Sequence, residues 1–123
     1  MVTKMNRTDD VRAVTSVIEE YAQGTAARDT ARISKAFPPA AVMSGYLGPN
    51  KLIGSIQPFL DHLDANEHGP GYTHELVSVS VTGRTAIARI VEDNLYGMSF
   101  VNDFHLINED GTWLIVSKLF HHD

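Results

Sequence analysis

Four runs of alternating character constrain the fold more than anything else in this chain. His74–Val81, Thr85–Tyr96, Ser99–Asn108 and Thr112–His121 are separated only by Gly83-Arg84, Gly97-Met98 and Glu109-Asp110-Gly111. Connections this short, each with a glycine, join antiparallel neighbours, because a parallel crossover needs a dozen residues or more. The pattern predicts a four-stranded meander. Upstream the period changes to that of a helix. Val11, Val14, Ile18, Tyr21, Ala22 and Thr25 share one face of a helix expected over Asp9–Arg28, with Thr8 as N-cap and Asp9 and Asp10 at the positive end of its dipole. Gly24 inside it costs about 1 kcal/mol relative to Ala, which implies close approach of another element. Asp29 or Thr30 caps a second, short helix carrying Ile33, Ala36 and Phe37, and Pro38-Pro39 stop it.

Val42–Leu47 reads as a strand, Gly48-Pro49-Asn50 as a turn and Lys51–Ile53 as a short extended piece. A third helix begins at a Ser55 cap, tolerates Pro58 in its first turn and carries Ile56, Phe59, Leu60 and Leu63 as its apolar stripe. Asn66–Tyr72, with Gly69-Pro70-Gly71, is a loop. Helices first and strands last, without alternation, define an α+β domain with helices on one face of a curved, mainly antiparallel sheet. The domain is expected over residues 9–123, after a flexible N-terminus of residues 1–8.

Charge and composition narrow the partners. The 123 residues carry a net charge of −5 and their 10 Lys and Arg are scattered, which argues against nucleic acid as main partner. No apolar stretch approaches the roughly 20 residues of a membrane helix, and the polar start lacks the core of a secretory signal, so the expected location is cytoplasmic. The absence of cysteine removes disulfides, thiolate zinc sites and thiol nucleophiles. Six histidines include no i, i+4 helical pair, so no metal or other cofactor is expected. A convergence of His74, His105 and His122 with Glu92, Asp93 or Asp103 at the open end of the sheet is the minor alternative. No phosphate-cradling loop or serine elbow is present.

Within the apolar run Ser99–Ile107 lies Asp103, a carboxylate that needs a partner, exposure or a task. Strand alternation puts Phe100, Asn102, Phe104 and Leu106 on one face and Val101, Asp103, His105 and Ile107 on the other, without saying which is concave.

Several segments carry a family resemblance. They are Tyr21-Ala22-Gln23-Gly24 with Asp29, Ala36-Phe37-Pro38-Pro39-Ala40-Ala41, Gly45-Tyr46, Val81-Thr82-Gly83-Arg84-Thr85-Ala86, Asp103-Phe104, Asp110-Gly111-Thr112-Trp113 and Val116-Ser117-Lys118-Leu119-Phe120. Together they resemble the lumazine-binding branch of the nuclear transport factor 2-like superfamily, which shares a cone-shaped, cystatin-like fold with ketosteroid isomerase and polyketide cyclases. The resemblance implies that Tyr21 stands where ketosteroid isomerase keeps an oxyanion-hole tyrosine and Asp103 where it keeps a protonated aspartic acid. Gly45 falls at the isomerase's base, so that mechanism lacks its proton shuttle; a cyclase-like acid at Asp103 would need none.

With Asp103 taken as inward on this guide, the expected cavity is lined by Tyr21, Met43, Phe59, Val101, Asp103, His105, Lys118, Phe120 and His122. Val116 shares that side. Phe100, Phe104, Trp113, Ile115 and Leu119 would form an apolar outer face covered by a second copy in a homodimer. The leading function is binding of a small, flat, partly polar molecule such as an aromatic heterocycle or polyketide-like compound. One alternative is an isomerase, cyclase or dehydratase with Asp103 as acid, Tyr21 as oxyanion donor and His105 or His122 as base. Another is a non-catalytic dimerisation module. An ion pair of Asp103 with Lys118 or His105 is the purely structural reading of that carboxylate.

Overall fold

The computed structural model describes residues 7–122. Helix α1 spans Arg7–Ala27 and buries Val14, Ile18, Tyr21, Ala22, Gly24 and Thr25. It starts before Thr8, which therefore lies inside the helix and does not cap it; Asp9 and Asp10 do occupy the first turn. Residues 1–6 of the expected flexible N-terminus lie outside the described residues. Helix α2, Thr30–Ser34, starts where the Asp29 carboxylate accepts a hydrogen bond from the Arg32 amide at 3.1 Å. A Cβ on Gly24 would come within 2.7 Å of Ile33 Cγ1, so the glycine in α1 is what lets α2 lie close. Helix α3, Gln57–Ala65, follows Ser55, whose hydroxyl accepts from the Gln57 amide at 3.2 Å, although Ile56 holds the cap position. The Arg28 guanidinium donates to the Leu63 carbonyl at 2.8 Å and joins the helical hairpin to α3.

Six strands, β1 (Val42–Leu47), β2 (Asn50–Gly54), β3 (Thr73–Thr82), β4 (Thr85–Leu95), β5 (Met98–Glu109) and β6 (Thr112–His122), form one sheet in the order β2-β1-β6-β5-β4-β3. All neighbours are antiparallel except β1 and β6, which run parallel with Met43 opposite Lys118 and Gly45 opposite Phe120. The first strand thus docks beside the last, and α3 follows the β1–β2 hairpin. Among the described residues no helix is long and apolar enough to cross a membrane.

The face of the sheet that enters the core carries Ala86, Ala88 and Ile90 of β4, Phe100, Phe104 and Leu106 of β5, and Trp113, Ile115 and Phe120 of β6. On β5 this reverses the expected orientation. Phe100, Asn102, Phe104 and Leu106 point inward because two aromatic rings and a leucine gain about 1.5–3 kcal/mol each on burial, which Asp103 and His105 do not offer. The expected outer face accordingly loses Phe100, Phe104, Trp113 and Ile115 to the core. Of the five residues assigned to it only Leu119 stays outside, 53% exposed, alongside Ile87 and Ile107.

On β6 a β-bulge explains why both halves of the strand contribute to the core. His105 opposes Ser117 and Leu106 opposes Ile115, so Val116 is the surplus residue. Alternation changes phase there, and Trp113 and Ile115 share a face with Lys118 and Phe120.

Candidate active site

Glu92 continues the inward series Ala86, Ala88, Ile90 on β4, so an acid takes the next place in an apolar row. It is 2% exposed. Its Oε2 accepts from the Tyr72 hydroxyl at 2.5 Å and its Oε1 accepts from Asn102 Nδ2 on the neighbouring strand. Two donors to one carboxylate compensate part of the cost of burying it. Burial, with the Glu92 charge adding to it, raises the Tyr72 hydroxyl well above the ordinary phenol range. An irregularity in the β4–β5 ladder between Glu92 and Leu95 turns both side chains inward. Asn94 and Tyr96, which follow Glu92 toward the turn, have φ of 60° and 54°.

Lys118 on β6 is the second charged group on this face, 4% exposed. Its Nζ lies 4.0 Å from the centre of the Phe59 ring, 5.2 Å from Tyr21 and 5.7 Å from Phe120. Aromatic faces attract a cation, but they do not replace its hydration shell. No carboxylate lies within 4.0 Å of this amine, and it makes no hydrogen bond, among the described residues. Burial therefore lowers its pKa to about 8, with the charge of Glu92 opposing the shift.

Around these groups is a hollow of about 230 Å³, far more than a water needs, lined by residues of β1, β2 and α3 and, from the meander, by Glu92, Leu95, Tyr96, Met98, Phe100, Lys118 and Phe120. Its walls are hydrocarbon and aromatic; Glu92 and Lys118 are the charged groups that reach it. Tyr21 lies beneath the lining, fully buried, edge-on to Phe104 at 5.0 Å and stacked with Phe59 at 6.2 Å. Burial and then the Glu92 charge push its phenol well above the ordinary range, so it remains a donor at neutral pH. The Tyr21 hydroxyl and Asn102 Oδ1 are both buried without a protein partner.

Of the nine residues expected to line the cavity, Met43, Phe59, Lys118 and Phe120 do so, and Tyr21 lies beneath them. Val101, Asp103 and His105 lie on the opposite face of the sheet. Asp103 forms a two-pronged ion pair with Arg89, at 2.7 Å to Nε and 3.0 Å to the terminal nitrogen. That hydrogen bond holds the Asp103 carboxyl below its usual range, against the opposing effect of partial burial. An ionised, outward carboxylate neither donates a proton into the hollow nor pairs with Lys118, which corrects both readings of Asp103. His105 is exposed and cannot serve as base there. His122 sits at the rim, 5.7 Å from the Phe100 ring, with Nε2 accepting from the Gly48 amide at 2.6 Å.

The histidines do not converge. His74 pairs with Glu19 of α1 at 3.0 Å, and among the described residues no three potential metal ligands cluster. Gly45 has no room for a side chain: a Cβ would lie 2.2 Å from the Phe120 carbonyl oxygen, so an isomerase-type base on β1 is sterically excluded. Asn102 and Tyr72 were missed as site residues, and Glu92 was expected only as a minor metal-ligand alternative. The signal available was the acid in phase with Ala86, Ala88 and Ile90.

Helices covering one face of a bent six-stranded sheet, with a hollow beneath α3, make this a nuclear transport factor 2-like, cystatin-like protein. The chain belongs to the Putative lumazine-binding family, whose pattern matches residues 9–121. Among solved structures, a nuclear transport factor 2-like protein from Shewanella baltica aligns at a TM-score of 0.90, with 26% identity and 98% of each chain covered. Another from Silicibacter pomeroyi aligns at 0.87 with 25% identity, covering 97% of this chain and 100% of that one. A ketosteroid isomerase-like protein from Erwinia carotovora atroseptica shares the fold at a TM-score of 0.71 and 14% identity, covering 96% and 98%. In sequence the chain is 29% identical over 102 residues, 82% of each chain, to the aldolase FrzH of Cladobotryum sp..

Proposed function

We propose that this protein binds a compact, mostly apolar carbonyl compound in the hollow and removes a proton from the carbon beside the carbonyl group. The observation that carries the reading is Lys118: a buried amine with no counter-ion in contact, facing an apolar hollow that also holds a carboxylate. A carbonyl oxygen directed at the Lys118 ammonium gains a charge-assisted hydrogen bond that strengthens as the oxygen becomes enolate-like. Glu92 is the base. Each of its oxygens receives one donor and keeps a lone pair for the proton. Phe59 and Phe120 supply flat apolar walls.

The enolate so formed is the common first intermediate of aldol addition, double-bond migration and dehydration next to a carbonyl. Proteins similar to this one bear names from those classes: the aldolase above, the isomerase-like protein, and a protein of the same fold from Streptomyces avermitilis named a putative dehydratase. The test is a panel of cyclic ketones, aromatic aldehydes and lumazine against their deoxygenated hydrocarbon counterparts. Carbonyl compounds should raise Tm in proportion to the logarithm of concentration, and enolisable ones should exchange their α-hydrogens with D₂O. Equal shifts from the hydrocarbons, with no exchange, overturn the reading.

A further inference from the structure

We propose that Lys118 is a covalent catalyst, its Nζ condensing with an aldehyde or ketone in the hollow to form an iminium. This rests on the carbonyl reading above and gives Lys118 a second, stronger role in it.

The argument is geometric. Imine formation needs an amine that can shed a proton near neutral pH, room for the carbonyl carbon at the nitrogen, and a nearby group to take or return protons. Lys118 sits between Phe59, Tyr21 and Phe120, and among the described residues it has no salt bridge that would hold it as an ammonium. It lines the hollow, as does Glu92. The ionisable groups beside Lys118 that line this space are Glu92 from β4, His62 from α3 and Tyr96 from the β4–β5 turn; Tyr21 from α1 lies against the amine beneath the lining, and Tyr72 acts through Glu92. Glu92 is the one anion among them, and it favours the ammonium less than burial disfavours it. The other lysines of the described chain, Lys35 and Lys51, are exposed.

The step balances without a co-reactant. Ammonium Lys118 first passes a proton to Glu92 through a water in the hollow, since the two side chains are not in contact. The free amine attacks the carbonyl carbon, the C=O π bond opens, and proton transfer gives a neutral carbinolamine. Glu92 returns its proton to the hydroxyl, water leaves, and the nitrogen lone pair forms C=N. In total, ammonium and carbonyl give iminium and water, with charge conserved. Glu92, again a carboxylate, can then take the α-proton, leaving a neutral enamine.

The experiment treats the full chain with benzaldehyde and sodium cyanoborohydride at pH 7, maps the benzylated lysines by peptide mass spectrometry and follows Tm without reductant. The expected result is labelling of Lys118 at least tenfold above Lys35 and Lys51, suppressed by a competing cyclic ketone. Labelling confined to the exposed lysines while benzaldehyde still raises Tm overturns the iminium and leaves the pocket reading standing. No labelling of Lys118 and no Tm shift with any panel compound overturns both.

Discussion

Two carboxylates on adjacent strands, Asp103 and Glu92, show how one sheet assigns opposite tasks to the same chemical group. Asp103 points away from the helices and meets Arg89 in a bidentate pair whose side chains remain 32% and 50% exposed. Such a pair typically adds less than 1 kcal/mol, since solvent screens it and two side chains must be ordered. Glu92 points to the helices, is bound by two neutral donors and shares a hollow with an amine it does not touch. The stable arrangement for an acid is the outward one; the inward one leaves the carboxylate without a charged partner in contact among the described residues, which is the state the proposed proton removal draws on.

The sharpest way to break the contrast is Glu92→Gln. Gln retains the shape and can still hydrogen bond to Tyr72 and Asn102, but it cannot accept a proton. Exchange of substrate α-hydrogens should fall by roughly 10²–10⁴ while circular dichroism stays native. Exchange unchanged in a folded variant removes Glu92 as base.

Lys118→Met comes second. Unfolding restores the amine to its ordinary value of 10.5, whereas the folded pKa is about 8, so between those values the unfolded chain binds more protons. Wild-type stability should therefore rise with pH across this window, by about 3 kcal/mol in total, as the buried amine is freed from its charge. Lys118→Met should lack that rise and melt higher than wild type at pH 7, while carbonyl compounds lose their stabilising effect. Parallel pH profiles of the two proteins in urea titrations contradict the burial of a charged amine.

The smallest effect is expected for Asp103→Asn, which should lower stability by no more than about 1 kcal/mol and leave exchange at the wild-type rate. Loss of exchange in that variant, with Tm held, would return the site to the other face of the sheet.

The helices and the meander were legible because apolar periodicity and glycine turns state them directly; β3 to β6 run within a residue or two of the expected bounds. The site was half legible. Lys118, Phe120, Met43 and Phe59 border the hollow, whereas Asp103 lies on the other face, because its partner depends on register. A regular ladder from Leu95 opposite Met98 would set Asp103 against Ile90; the irregularity beyond Glu92 sets it against Arg89 instead. Irregularities of this kind arise from the fit of whole strands and leave little mark on composition. The resemblance to ketosteroid isomerase also weighed on the choice of face, although Phe100, Phe104 and Leu106 outweigh Val101, Asp103 and His105 in transfer free energy.

The surplus Val116 in β6 has a consequence for the hollow. Upstream of it, β6 is committed to the hydrophobic interior; downstream, the same strand presents Lys118 and Phe120 to the hollow. Were the strand to pair without the bulge while keeping every residue, Ser117 and Leu119 would face the hollow in place of Lys118 and Phe120; deleting Val116 instead closes the gap and leaves Lys118 and Phe120 on the hollow's side. The pairing of β6 across this one position thus sets which of its side chains the hollow receives, while the other strands stay as they are.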